Sequence, residues 1–346
     1  MGLYLGSTRI PTISFYKSGA IMPSGIFTIP STSGTYDVTS YAFAQGDFGY
    51  GNLPERISGD ILEYSNSTAS RIASYAFAYT NLSSISVPNA SFIGEFAFTS
   101  TKISIASFPS CISVSSSAFT YCSSLTTIYF PLCSSVAANA FSTCTNLTTL
   151  SFPLVSSIYN YYTFANCIKV TSISFPELTH LRGGYNFYNC NSLISVYLPK
   201  CLSIDATQAF YACYSLNTVS LPSCTYLGNG VFSYCHRLSN ISLPLCEIVS
   251  NSTFCQCSSL SVLSLPKCSY IGTSAFQSCC NLLSLYLTNS VVCSLSNVNA
   301  FNSTPISNYT TSTGGVYGSI YVPTSLVASY KAATNWTTYS DRIVGV

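Results

Sequence analysis

The chain has 346 residues, 48% of them hydrophobic and only 6% charged, with a formal net charge of +2. Soluble domains usually carry about 25% charged residues, so this surface must be built from Ser, Thr, Asn and Tyr. There is no Lys/Arg cluster to neutralise phosphates and no run near the ~18 apolar residues of a membrane helix, which excludes nucleic acid and membrane insertion as expected partners.

Residues 1–70 follow no period. They open on MGLYLGSTRIPTISFYKSG, which lacks the basic start and long apolar run of a signal peptide. Gly, Pro, Ser and Thr are frequent, and Asp37, Asp47, Glu55, Asp60 and Glu63 supply half of the ten acidic residues. This segment is expected to cap the coil that follows it, and it could also dock onto a larger assembly.

From about residue 71 the chain keeps time. A Phe, usually after Ala, recurs at Phe77, Phe98, Phe119, Phe141, Phe164, Phe187, Phe210, Phe232, Phe254 and Phe276, in steps of 21 to 23 residues, with a looser copy at Phe301. Proline keeps the same period at Pro88, Pro109, Pro131, Pro153, Pro176, Pro199, Pro222, Pro244 and Pro266. The averaged unit is A-F-x-x-C-x-S-L-x-x-I/V-x-L/F-P-x-C-x-x-I/V-x-x-x. It matches the leucine-rich-repeat spacing with one extra residue before the last apolar position.

Each unit predicts its own local structure. The pair I/V-x-L/F has period 2 and reads as a short strand with two side chains inward. Proline stops that strand, because it brings no N–H to the ladder. Ala-Phe-x-x-Cys predicts a turn, or one helical turn, on the other side of the coil. One such coil cannot repay the entropy of ordering itself, so coils must stack. The expected fold is a β-rich right-handed leucine-rich-repeat solenoid of ten to eleven coils over residues 71–304. Residues 1–70 and 305–346 are the expected caps.

The cysteines fall on the same period. One column follows the Phe by three: Cys122, Cys144, Cys167, Cys190, Cys213, Cys235, Cys257 and Cys279. Its ends hold Thr80, Thr101 and Thr304. A second follows the Pro by two: Cys111, Cys133, Cys201, Cys224, Cys246 and Cys268, with Ala90, Val155 and Leu178 where cysteine is missing. Small or apolar replacements suit a buried packing position, since a free thiol behaves as a small hydrophobe. Disulfides and metal fit the pattern less well. The total of 17 is odd, parallel side chains in a column are poorly placed for a bridge, and the tight C-x2-4-C pairs of zinc sites are missing. The columns therefore read as reduced structural ladders, with no metal.

Chemistry is hard to place. His180 and His236 lie 56 residues apart, which fits no multiple of the period, so they should not share a column. His180 reads as a loop residue. Cys235 and His236 are adjacent but have no orienting acid. Glu95, Glu177, Asp205 and Glu247 are scattered singly, and no phosphate-binding or nucleophile-elbow motif occurs. No enzyme activity and no cofactor are expected. The outward strand positions are more informative. One column holds Tyr129, Ser151, Ser174, Tyr197, Ser220, Ser242, Ser264 and Tyr286; its neighbour holds Thr127, Thr149, Ser172, Ser195, Thr218, Asn240, Val262 and Ser284. This hydroxylated, nearly uncharged face is the expected ligand-binding surface, for a protein or a glycan on a host or microbial surface. At the other end, Thr324-Ser325 before LVASYKAA predicts a short N-capped helix, and Trp336 is expected to pack over the last coil.

The unit repeated through residues 72–304 resembles the BspA-like leucine-rich-repeat family, and GSIYVPTSLVASYKAATNWTTYSDRI, residues 318–343, resembles the segment that closes such arrays. The resemblance implies a bacterial or protozoan surface protein engaged in adhesion to host matrix proteins, other microbes or mucosal surfaces, with no catalytic motif to carry over. A cell-surface or extracellular location follows from it. LYLGSTRI and GTYDVTSYAFA resemble segments of bacteriophage tail and virion proteins. They imply an alternative, a virion structural or receptor-binding protein.

Overall fold

A computed structural model describes residues 61–346 and, before them, the strands Tyr4–Leu5, Thr8–Arg9 and Gly25–Ile29. Asp37, Asp47, Glu55, Asp60 and the segment GTYDVTSYAFA lie outside the described residues. The chain forms two compact units, residues 1–155 with 163–168, and residues 156–162 with 169–346.

In both units a coil consists of a three-residue strand, a proline turn, a two-residue strand and the Ala-Phe turn. The fold is a parallel β-solenoid with little helix. In the first unit Thr127–Tyr129 pairs in parallel with Ile105–Ser107, residue for residue. A second row runs Arg71–Ile72, Phe92–Ile93, Ser113–Val114, Ser135–Val136. In the second unit Ser195–Tyr197, Thr218–Ser220 and Asn240–Ser242 form one parallel sheet. The two-residue strands from Ser157–Ile158 to Ser294–Leu295 form another, of seven strands. The middle residue of most long strands is buried, as Ile128, Leu150, Val196, Val219, Leu263 and Leu285 are, while Ile85, Ile173 and Ile241 are half-buried.

The coils number about 13, where the period gives ten to eleven. The difference arises where the Phe column is missing but the strand persists. Gly25–Ile29 and Ile61–Asn66 run parallel to each other and to Ser84–Ser86. Ser319–Val322 and Ile343–Gly345 add two parallel strands beyond Ser284–Tyr286.

Phenylalanine forms the spine of each unit. In the first, Phe77, Phe98, Phe119, Phe141 and Phe164 stack at 5.0–5.7 Å between centroids. In the second, Phe187, Phe210, Phe232, Phe254, Phe276 and Phe301 do the same at 5.0–5.7 Å. One stacked ring per coil keeps each core layer filled to the density of its neighbours.

The Ala-Phe segment is a turn, not a turn of helix. Two non-glycine residues, two before and two after the Phe, sit in the left-handed region: Ser117 and Tyr121 around Phe119, at φ 54° and 59°, and Tyr185 and Asn189 around Phe187, at 57° and 59°. Left-handed backbone costs an L-residue on the order of 1–2 kcal/mol. Cross-coil hydrogen bonds offset it. The N–H groups of Ser117, Phe119 and Tyr121 donate to the carbonyls of Ala138, Ala140 and Ser142 in the next coil, at 2.9, 2.8 and 3.0 Å.

Both cysteine columns are buried ladders. In the first, the thiols within each unit donate to the Phe carbonyl of the preceding coil: Cys122 to Phe98 at 3.0 Å, Cys144 to Phe119 at 3.1 Å, Cys235 to Phe210 at 3.2 Å. In the second, the thiol donates to a carbonyl two residues ahead, as Cys133 does to Ser135 at 3.2 Å. Thr80 and Thr304, at the ends of the first column, also bond a Phe carbonyl, but within their own coil, at 2.8 and 2.7 Å. Burial pushes the Cys122 thiol up to about 12.

The shortage of charge also has a structural reason. Neighbouring strands lie about 4.8 Å apart, a gap that a short polar side chain can span. Thr126 donates to the Ser104 carbonyl at 3.0 Å, Asn146 to Ser123 at 2.7 Å, and Thr179 to Ser156 at 2.8 Å.

At the C-terminal end Trp336 is fully buried, tilted against Phe301 at 6.0 Å, with its indole N–H donating to the Cys293 carbonyl at 2.7 Å. The predicted helix is present as Val327–Ala332, but Thr324 does not cap it. Thr324–Leu326 is a 3-10 turn, the N-cap position falls on Leu326 with no side-chain bond, and the Thr324 hydroxyl donates to the Val346 carbonyl at 3.3 Å.

Candidate interaction surfaces

The long strands present two outward residues per coil. Because the pairing is parallel and in register, identical positions line up. In the first unit Tyr129 and Ser151 are exposed, with Ser107 directly opposite Tyr129. In the second unit Tyr197 aligns with Ser220 and Ser242. Ser264 aligns with Tyr286 and then Tyr321. Ser174, Tyr197, Ser242 and Ser264 are exposed, whereas Ser220 and Tyr286 are half-buried. Tyr129 and Tyr197 are the most open of the aromatic residues on this face, at 55% and 61% exposure. In the adjacent column Thr127, Thr149, Ser172, Ser195, Asn240 and Val262 are exposed as well, whereas Thr218 and Ser284 are half-buried.

Tyr321 belongs to this face although the period does not reach it. Its rings stack on Tyr286 at 4.6 Å. The signal was present: Ser319-Ile320-Tyr321-Val322-Pro323 repeats the pattern of Ser195-Val196-Tyr197-Leu198-Pro199. Beside the last strands of the second unit lies an open depression of about 400 Å³, lined by Ser259, Ser261, Asn281, Leu283, Ser312, Thr313 and Val316.

Two ion pairs bridge neighbouring coils at the surface of the second unit. Lys200 meets Glu177 at 2.7 Å and Arg182 meets Asp205 at 2.9 Å, one coil apart in each case. Such exposed pairs contribute about 0–1 kcal/mol. Among the described residues no group of three His, Cys, Asp or Glu side chains could hold a metal ion.

The two histidines occupy different columns. His180 lies in the strand His180–Leu181, not in a loop, because Leu181 takes the buried position of the two-residue strand and leaves His180 facing outward. Its Nδ1 is 3.0 Å from the Thr179 hydroxyl. His236 lies in the Ala-Phe turn region, stacked on Tyr214 at 5.5 Å. It is part of an aromatic strip with Tyr185, Tyr188, Tyr211 and Tyr234 that periodicity alone did not single out. The spellings F-Y-N-C at 187–190 and F-Y-A-C at 210–213 were the available signal.

Comparison with known proteins agrees with this architecture. The family model described as the BspA type leucine rich repeat region matches in six copies, over residues 63–162, 134–260 and 205–316. A leucine-rich repeat protein from Bacteroides ovatus is similar in structure at 17% identity, covering 100% of this chain and 98% of the other, with a TM-score of 0.51. A T. pallidum leucine rich repeat protein matches at 26% identity over 45% of this chain and 72% of its own, with a TM-score of 0.35. The pneumococcal vaccine antigen PcpA matches at 18% identity over 96% and 91%, with a TM-score of 0.47. Comparison with curated proteins returns no match.

Proposed function

Given that the chain belongs to the BspA-type leucine-rich repeat family, a family whose surface proteins suit a protein-binding role, we propose that it is a non-enzymatic adhesion protein. It acts at the surface of a cell and binds a protein partner on a host or microbial surface through the outward strand columns. Repeat folds of this kind are typically non-catalytic. The observation that carries the reading is the exposure of Tyr129 and Tyr197 on rows of Ser and Thr with no charged residue in either column from Thr127 to Tyr286. Tyrosine offers large, stiff contact area at low entropic cost, and small hydroxylated neighbours let a partner approach the sheet closely.

The test is adhesion to a surface coated with extracellular-matrix extract. The purified chain should bind saturably, and the double variant Tyr129→Ser, Tyr197→Ser should lose most of that binding while keeping its fold. Equal binding by the variant would remove the strand face from the account.

A further inference from the structure

Cys293 keeps time with neither cysteine column. In the second column the cysteine stands two residues ahead of a two-residue strand, and its thiol donates to the carbonyl of the first strand residue. Cys201 does so to Ser203 at 3.4 Å, Cys224 to Tyr226 at 3.3 Å and Cys268 to Tyr270 at 3.4 Å. Cys293 stands only one residue ahead of its strand, Ser294–Leu295. The coil that carries it has Thr288 where the preceding coil has Pro266, and it takes two more residues to travel from Leu287 to Ser294 than that coil takes from Leu265 to Tyr270.

The shift changes what the thiol meets. Tyr270 pairs with Ser294 and Ile271 with Leu295, so Cys293 falls one step out of line with Cys268. Its sulfur lies 3.7 Å from the Cys268 sulfur, and both residues are fully buried. The carbonyl it reaches, that of Ser294, is also 3.7 Å away, too far to hold the thiol as the ladder carbonyls hold theirs. Ladder thiols point at backbone; this one points at a second sulfur. Cys293 is also where the closing segment is fastened. Its N–H donates to the Tyr330 hydroxyl at 2.9 Å, and its carbonyl accepts the Trp336 indole N–H at 2.7 Å.

We propose that Cys268 and Cys293 are a covalent cross-link site, joined as a disulfide when the chain folds in an oxidising environment, and that the bond fastens the C-terminal segment to the coil before it. The oxidant is a low-molecular-weight disulfide. The thiolate of one cysteine attacks a sulfur of the reagent, breaks its S–S bond and releases one small thiolate. The thiolate of the other cysteine then attacks the mixed disulfide at the protein sulfur, forms the Cys268–Cys293 bond and releases the second small thiolate. The protein loses two electrons and two protons, and the reagent leaves as two thiols. A disulfide needs its sulfurs about 2 Å apart, so the contact closes by less than about 2 Å. Both thiols are sealed in the folded chain, so exchange takes place while the last coil is open, during folding or when the closing segment lifts. The bond ties residues 25 apart, which restricts the unfolded chain. It does so at an end of the array, where fraying begins. It does not depend on what the strand face binds.

The experiment starts from the fully reduced chain in a buffer of oxidised and reduced glutathione. One sample is unfolded and refolded into the buffer; another is held folded in it. Remaining thiols are blocked under denaturing conditions, and the peptides are mapped by mass spectrometry. Cys268 and Cys293 should be recovered joined to each other, sooner from the refolding chain than from the folded one. Ladder cysteines such as Cys144 and Cys235 should be recovered blocked. The oxidised chain should need more urea than the reduced chain to shift Trp336 fluorescence to longer wavelength. Cys293→Ser should show no difference between oxidising and reducing buffer. The folded sample gives the same map without a refolding step. Cys268 and Cys293 both blocked in both samples, or joined mainly to other cysteines, would overturn the proposal. A Cys268–Cys293 bond with no change in the urea midpoint would overturn the fastening role.

Discussion

The thiol of Cys144 lies 3.1 Å from the carbonyl oxygen of Phe119, one coil earlier, and that same oxygen accepts the backbone N–H of Cys122. Each Phe carbonyl inside the ladder thus uses both lone pairs, one within its coil and one across to the next. Cysteine fits here because it is small, apolar and still a donor. Cys144→Ala should therefore destabilise by about 1–2 kcal/mol. The Cys122 amide still satisfies the carbonyl, so the loss is a weak bond and a small void. A urea midpoint shifted by that amount without a change in slope checks it; an unchanged midpoint would refute a structural role for the column.

The same burial sets a pH window. The thiol of Cys122 is pushed up to about 12 from 9.0, and so is that of Cys167. Burial penalises the thiolate, so the folded state holds its proton to higher pH than the unfolded state. Below about pH 9 both states are protonated and these thiols give no pH dependence. Between about 9 and 12 the unfolded chain ionises first, and stability falls as pH rises. Denaturation midpoints measured from pH 8 upward should be flat at first and then decline. With a thiol reagent at pH 8, the half-buried Cys255 and Cys280 should react in the native protein, and most of the 17 cysteines only after unfolding.

Phe232 and Tyr197 separate packing from recognition. Phe232 is fully buried between Phe210 and Phe254 at 5.6 and 5.7 Å, and Phe232→Ala should cost about 3–5 kcal/mol. Tyr197 is 61% exposed, and Tyr197→Ser should change stability by no more than about 0.5 kcal/mol. Chemical denaturation of both variants gives the comparison.

Much of this was legible in the sequence because each coil repeats one solution. The Phe and Pro columns fixed the period, the I/V-x-L/F pairs located the long strands, and Ala, Val and Leu at the second cysteine column pointed to burial. The turn conformation was not legible. Ser117, Tyr121, Gln208 and Ala212 take left-handed backbone with no glycine to announce it, because the stabilisation comes from bonds to another coil and not from local preference. The aromatic strip was hidden for a related reason. Tyr214 and His236 come together through the stacking of one column, and each looks like an ordinary turn residue when read alone.

Trp336 anchors the C-terminal end. Its ring lies against Phe301 and edge-on to Tyr330, whose hydroxyl accepts the Cys293 N–H at 2.9 Å. Trp336→Ala should destabilise by about 3–5 kcal/mol. Trp336→Phe should cost less, because it keeps the packing and loses the bond to the Cys293 carbonyl. As the only tryptophan, Trp336 reports its own environment: its fluorescence should shift to longer wavelength together with the loss of circular dichroism.

The most direct test of the central claim compares three proteins on one matrix-coated surface by interferometry: the unaltered chain, the strand-face variant Tyr129→Ser, Tyr197→Ser, and the turn-edge variant Tyr214→Ala. The account predicts saturable binding by the first, lost in the second and kept in the third. No binding by the unaltered chain, or equal binding by it and the strand-face variant, would contradict it.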